Sequence, residues 1–199
     1  MNRAQEKFGP PLDLVVKKVF PVMNPMIQEF VRAAPFAVLS TADGEGNCDA
    51  SPKGGMPGFV KVLDAHRLLL PDVAGNKLFQ SYENLETNPK AALLFLIPGC
   101  DWTVRVNGRA SVVEKNDGRL AGVAPEVFES DENTRILQAI LLDVDEAYAQ
   151  CPRAFTFSRL WDVERIGASR EAEANRYWLG RWKQSMNGLA DELLADGGR

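Results

Sequence analysis

The sequence predicts an α+β protein, mainly β, in which a small antiparallel β-barrel carries flanking helices. Three observations predict it: a period-2 alternation that starts at Trp102, many short apolar runs broken by turn residues, and helical spacing confined to a few segments. At 199 residues, 45% of them hydrophobic and 25% charged, the chain has the size and composition of one good-sized globular domain, which excludes disordered, fibrous and collagen-like classes. No internal repeat, low-complexity stretch or linker divides it. The expected organisation is a single domain over residues 1–199, with an N-terminal helical extension (1–34), a barrel core (35–162) and a C-terminal helical tail (163–199).

Asn24 can cap a short helix that runs to Ala34, Pro25 suits its first turn, and Met26, Ile27, Phe30 and Val31 follow helical spacing. Phe36 to Thr41 reads as a buried strand. The run from Asp43 to Asn47 has hairpin turn chemistry, and the return strand is expected from Cys48 to Ser51, stopped by Pro52. Phe59 to Leu63 and Arg67 to Leu70 make a second hairpin around Asp64 to His66. Leu78, Tyr82 and Leu85 then predict a helix from about Asn76 to Glu86, ending before Asn88-Pro89.

After the apolar run Lys90 to Ile97, the even positions Trp102, Val104, Val106, Gly108, Ala110 and Val112 form a core face. Thr103, Arg105, Asn107, Arg109 and Ser111 form a polar one. Gly108 is the expected bend of this long strand. Ile136 to Val144 is apolar enough for a strand or a helix, Asp145 to Gln150 reads as helix, and Phe155, Phe157 and Leu160 read as resumed alternation. Arg170 to Leu194 reads as an amphipathic helix with an aromatic stripe of Tyr177, Trp178 and Trp182, suited to packing on the barrel or on a partner chain.

With 23 Lys and Arg against 27 Asp and Glu, the net charge of −4 argues against a nucleic-acid groove but leaves room for a local phosphate pocket. The first residues lack an apolar leader segment, and no run approaches the roughly 18 apolar residues of a membrane span. A soluble, cytoplasmic protein is expected, with no nucleic-acid or membrane partner. Cys48, Cys100 and Cys151 lack the spacing of a disulfide framework or a zinc site and read as buried free thiols. His66 is the only histidine and falls in a turn, so a histidine-based triad or a metal site has little to stand on.

The stretch from Leu68 to Lys77 outlines an anion site. A strand stops at Pro71, Gly75 and Asn76 follow, and a helix is expected to begin beside Lys77. Free helix N–H groups, an approachable glycine backbone and a Lys side chain all favour a phosphate. A plain helix cap is the alternative. A second strand end, Asp49 to Gly54, offers Lys53 as another cation, or simply a solvated lysine.

The order FAVLSTADGEGNCDASPKG, PGFVKVLDAHRLLLPDVAGNK, NLETNPKAALLFLIPG and TVRVNGRA resembles the pyridoxamine 5′-phosphate oxidase-like family of flavin-binding split barrels, in its branch of flavin-nucleotide-binding proteins. The resemblance is close from Phe36 to Val113, and CPRAFTFSRLWD at Cys151 to Asp162 resembles the branch's closing segment. It implies a six-stranded antiparallel split β-barrel, a homodimer, and FMN in a cleft between the subunits. By that resemblance Ser51, Pro52 and Lys53 run along the isoalloxazine and ribityl chain, and Leu70, Pro71 and Asp72 supply backbone contacts. Gly75, Asn76 and Lys77 form the phosphate-binding turn, Thr103 points a polar group toward the flavin, and Arg159 and Trp161 approach the partner's flavin. The true oxidase closes with a motif like Arg-Leu-His-Asp-Arg that grips pyridoxal phosphate. Here Trp161 stands at the His position and Val163 at the last Arg, so the resemblance in this motif stops short of vitamin B6 oxidation.

The function implied is a flavin-dependent oxidoreductase acting on a small, unidentified substrate, with NAD(P)H or another reduced carrier as electron donor. No catalytic residue is assigned, because the flavin carries the electrons. The alternative is a non-catalytic module that stores or senses flavin, or one that takes haem, for which His66 is the only histidine ligand on offer.

Overall fold

A computed structural model of the chain describes residues 2–75, 77–131 and 134–185. The N-terminal region carries α1 (Arg3–Phe8), α2 (Asp13–Lys17) and α3 (Pro25–Ala33). The third forms as its residues predict. Asn24 Oδ1 accepts the Ile27 backbone N–H at 2.9 Å, and Pro25 opens the first turn, where a missing N–H costs nothing. Ile27 and Val31 are fully buried, whereas Met26 is half exposed. Asn24→Ala should therefore destabilise the fold by about 1 kcal/mol, lowering the melting temperature by roughly 2–4 °C. An unchanged melting curve would show that this cap contributes nothing.

Among the described residues seven antiparallel strands follow in chain order: β1 (Phe36–Ala42), β2 (Cys48–Gly54), β3 (Lys61–Val62), β4 (Arg67–Val73), β5 (Lys90–Leu96), β6 (Thr103–Glu114) and β7 (Ile136–Gln150), with α4 (Gln80–Thr87) between β4 and β5. They make one open sheet in the order β2-β1-β5-β6-β7-β4-β3. The expected six strands thus become seven, and the strand expected from Phe59 to Leu63 shrinks to the two-residue β3. β2 does not stop at Pro52: it runs to Gly54, with Pro52 opposite Val38. Because β2 is an edge strand, a proline without an N–H removes no inner ladder bond.

The long β7 decides one open reading and corrects one expectation: residues 136–150 form one strand, so Ile136 to Val144 is strand and not helix, and Asp145 to Gln150 is not helical. Ala139, Ile140, Leu141 and Leu142 are all buried. Ile140 and Leu142 join the main core, whereas Ala139 and Leu141 join a second cluster with Leu69, Val113 and Leu120 on the other face. Burial on both faces erases the alternation that marks a half-exposed strand. Further along, pairing with β6 overrides the helical leaning of Asp145-Glu146-Ala147.

A bulge interrupts that pairing where Asn107 faces Glu146 but Gly108 faces Val144, leaving Asp145 unopposed. A Cβ at Gly108 would lie 1.9 Å from the Asp143 carbonyl oxygen, so the expected bend coincides with a backbone approach that only glycine permits. The even face of β6 is buried at Val104, Val106 and Ala110, but Trp102 is half exposed, outside the strand, and Val112 is partly exposed at its far end.

Beyond the sheet come α5 (Arg153–Ser158), α6 (Val163–Glu171) and α7 (Ala174–Ser185). Phe155 and Phe157 are helical, not alternating: two aromatics two residues apart do not distinguish the periods, and the Thr156 N–H donates to the Pro152 carbonyl at 3.0 Å. The expected helix from Arg170 is broken at Glu173, whose φ of 49° is left-handed, and its continuation from residue 186 lies outside the described residues. Cys48 and Cys151 are exposed and Cys100 intermediate, so the thiols are not buried as expected: they sit at strand ends and loops that the core does not cover. Among the described residues no helix is long and apolar enough to cross a membrane.

Candidate functional site

β2 and β4 stand at the first and sixth positions of the sheet order. Nevertheless Lys53 Nζ lies 3.3 Å from Asp72 Oδ1, which shows that the sheet curls until these two strands nearly meet. α4 packs beside the gap. Ser81 Oγ donates to Asp49 Oδ2 at 2.6 Å, and Asn84 Nδ2 donates to Thr41 Oγ1 at 2.9 Å, tying the helix to β2 and β1.

The space enclosed is a cleft of about 410 Å³, within the ordinary range for a small-molecule site. Ser51, Pro52 and Lys53 line it from β2, and Leu70, Pro71 and Asp72 from β4. Gly75 and Lys77 line it from the connection to α4. The structure thus brings together eight of the residues that the sequence singles out. Asn76, between them, lies outside the described residues.

The other three are elsewhere. Thr103 sits in the middle of the sheet on β6, paired with Gln150 and buried, so it is not a polar group open to this cleft. Arg159 forms an ion pair with Asp162 at the end of α5. Asp162 is held below the ordinary carboxylate range first by the Arg165 backbone N–H and then by Arg159. Trp161 Nε1 donates to the Cys100 carbonyl at 3.0 Å and stacks on Phe155 at 5.9 Å.

The connection to α4 departs from expectation. The helix starts at Gln80, not near Asn76, because Lys77 and Phe79 adopt left-handed φ values of 61° and 51°. Leu78 is consequently exposed instead of buried in the helical stripe. Two features of an anion site remain. Gly75 has nothing within 4 Å of where a Cβ would stand, leaving its backbone approachable. α4 begins with no side-chain cap on its first turn, and Gln80 and Ser81 of that turn line the cleft.

Tyr82 and Phe59 also line the cleft and were not singled out as site residues. The Tyr82 hydroxyl is buried and has no partner in hydrogen-bonding geometry. Burial, and after it the negative charge of Asp72, push this phenol above its ordinary pKa, so it stays a neutral donor. The signal in the sequence was the stripe Leu78, Tyr82, Leu85: a tyrosine on a buried face brings a hydroxyl that needs a partner.

A curled antiparallel sheet whose split holds an amphipathic cleft with cations at its rim has the concave, mixed lining common to small-molecule sites. The chain is a member of the pyridoxamine 5′-phosphate oxidase family, whose profile matches residues 23–151, well over half of the sequence. That match includes the whole cleft but stops before Arg159 and Trp161. No curated protein matches the chain.

Solved structures similar to it include a Lactobacillus delbrueckii protein described as a candidate pyridoxamine 5′-phosphate oxidase, 23% identical, with TM-score 0.48, covering 65% of this chain and 95% of its own. An FMN-binding protein from Syntrophomonas wolfei is 13% identical, with TM-score 0.44 and coverage of 69% and 91%. The haem storage protein HutZ from Vibrio cholerae is 16% identical, with TM-score 0.42 and coverage of 62% and 89%.

Proposed function

We propose that the chain binds FMN in the cleft between β2, β4 and α4 and works as a flavin-dependent oxidoreductase on a small substrate, with NAD(P)H or another reduced carrier as donor. The observation that supports this most is the convergence of Ser51 to Lys53, Leu70 to Asp72, Gly75 and Lys77, distant in sequence, on one cleft of suitable size. When bound, the flavin supplies the electron-transfer chemistry.

The residues present fit such a ligand. Lys77, the Gly75 backbone and the uncapped start of α4 would hold the phosphate, and Pro52, Phe59, Leu70 and Pro71 offer apolar surface to a flat ring. Tyr82 brings a buried hydroxyl that forms no well-aligned hydrogen bond with its neighbours Asp72 and Gln138. The cleft is open beside Lys77, Leu78 and Phe79, whose side chains are exposed. A second copy of the chain would close it, and Arg159 and Trp161 would then reach the flavin from the partner. A cytoplasmic location suits such a carrier-coupled reaction.

The second reading is a flavin-holding module without turnover. Its haem version draws nothing from His66, which lies in the exposed turn between β3 and β4, outside the cleft. The test is the visible spectrum of the purified protein reconstituted with FMN, before and after dithionite, together with NAD(P)H oxidation. A perturbed flavin spectrum with turnover supports the oxidoreductase. Reductive bleaching with no turnover on any acceptor leaves the binding module. A colourless protein with no affinity for FMN overturns both.

A further inference from the structure

Three facts about the cleft are not explained by a ligand that merely fills it. Lys53 and Asp72 form an ion pair at 3.3 Å across the split, with side chains only 21% and 15% exposed. Tyr82 places a buried hydroxyl beside the same carboxylate and the Gln138 amide, with a well-formed hydrogen bond to neither. Asp72 itself stands at an irregularity of the β4/β7 pairing, where Asp72 faces Gln138 but Val73 faces Ile136, and such irregularities re-aim side chains.

An aspartate in a cleft that otherwise suits an anion opposes the ligand unless its charge is held elsewhere. Lys53 holds it, and while that pair stands Lys53 is not free to meet a phosphate or a ring oxygen. A buried donor without a well-formed hydrogen bond, such as Tyr82, is uncommon, since leaving one poorly satisfied is unfavourable. Both anomalies are removed by one rearrangement.

We infer that Asp72 is the internal counter-charge of the cleft: an arriving anionic ligand draws Lys53 away from Asp72, and the Tyr82 hydroxyl then donates to the vacated carboxylate. No covalent step is involved, only an exchange of partners. The inference rests on the flavin reading, with FMN as the ligand that triggers the exchange. Asp72 sets the threshold for binding: the ligand must outcompete an existing ion pair. Tyr82 lowers that threshold by receiving the released carboxylate. Both are positioning residues, acting through Lys53.

The experiment is a double-mutant cycle read by FMN binding, with thermal unfolding recorded for each variant. Asp72→Asn keeps the shape but removes the competing charge, and should tighten FMN binding about threefold to tenfold. Tyr82→Phe should weaken binding about threefold to tenfold in the wild-type background and have no effect in the Asp72→Asn background, because there is no carboxylate left to receive. Adding Lys53→Met to Asp72→Asn should abolish the gain and, by removing both charges together, leaves no unpaired ion to unfold the protein.

Unchanged or weaker binding in Asp72→Asn, or an equal effect of Tyr82→Phe in both backgrounds, overturns the exchange while wild-type affinity for FMN leaves the flavin reading standing. Failure of wild type and every variant to bind FMN overturns that reading and the exchange with it.

Discussion

Lys77→Ala is expected to weaken FMN binding about tenfold to a hundredfold, the loss of roughly 1.5–3 kcal/mol for a charge-assisted hydrogen bond. Lys53→Ala should cost less affinity. The difference follows from what each ammonium does before the ligand arrives. Lys53 is already paired with Asp72, so its contact with a ligand is gained only against one that is lost. Lys77 lines the cleft, is exposed, and forms no ion pair with another described residue, so the whole of its contact with a phosphate would be gained on binding.

The two variants should also differ in stability. Removing Lys53 leaves Asp72 largely buried and uncompensated, and the melting temperature should fall. Removing Lys77 should leave it unchanged. Equilibrium dialysis with FMN and a thermal melt read both quantities. Equal or absent effects on binding would remove the phosphate from Gly75 to Lys77.

The second large effect concerns the fold. Gly108→Ala should destabilise the protein by about 3 kcal/mol or more, because the added methyl meets a backbone oxygen and not a side chain that can turn aside. The Asp143 carbonyl would stand 1.9 Å from it, at the bulge where β6 and β7 change register. Relief requires parting the longest strand pair of the sheet. A thermal or urea unfolding curve indistinguishable from wild type would contradict this packing. A chain that accumulates only in insoluble form would agree with it.

Local features of the fold were legible because they depend on neighbours in sequence. Asn24 caps α3 and Pro25 opens it as their types predict. The Asp43 to Asn47 turn forms, with the Asp43 carboxylate accepting backbone N–H groups of Glu45 and Asn47, both at 2.9 Å. Alternation along β6 gave the correct buried face through Ala110. The reading failed where distant pairing decided the outcome. β7 hid its period because both faces are covered, and α4 starts late because Lys77 and Phe79 take left-handed conformations that no spacing of Leu78, Tyr82 and Leu85 reveals.

The candidate site divides in the same way. The residue types at the two strand ends, with lysine, proline and glycine beside short polar segments, already spelled out two loops suited to an anion. Their meeting is a property of the curled sheet alone, since Lys53 and Asp72 touch only when the edge strand β2 swings round toward β4. The pairing also shows that Lys53, expected as a cation for the ligand or else as a solvated side chain, has its charge engaged by Asp72.

By itself the sequence determined the mainly β class, the position of the bend at Gly108 and the family, because these rest on local backbone preference and on the order of short motifs. Tertiary structure decided which charges are engaged, which phenol lies buried beside a carboxylate and which of the expected residues share a cleft. The physical reason is that charge engagement and burial are set by what lies across the split, and the chain brings those partners together only by closing a loop through the whole sheet.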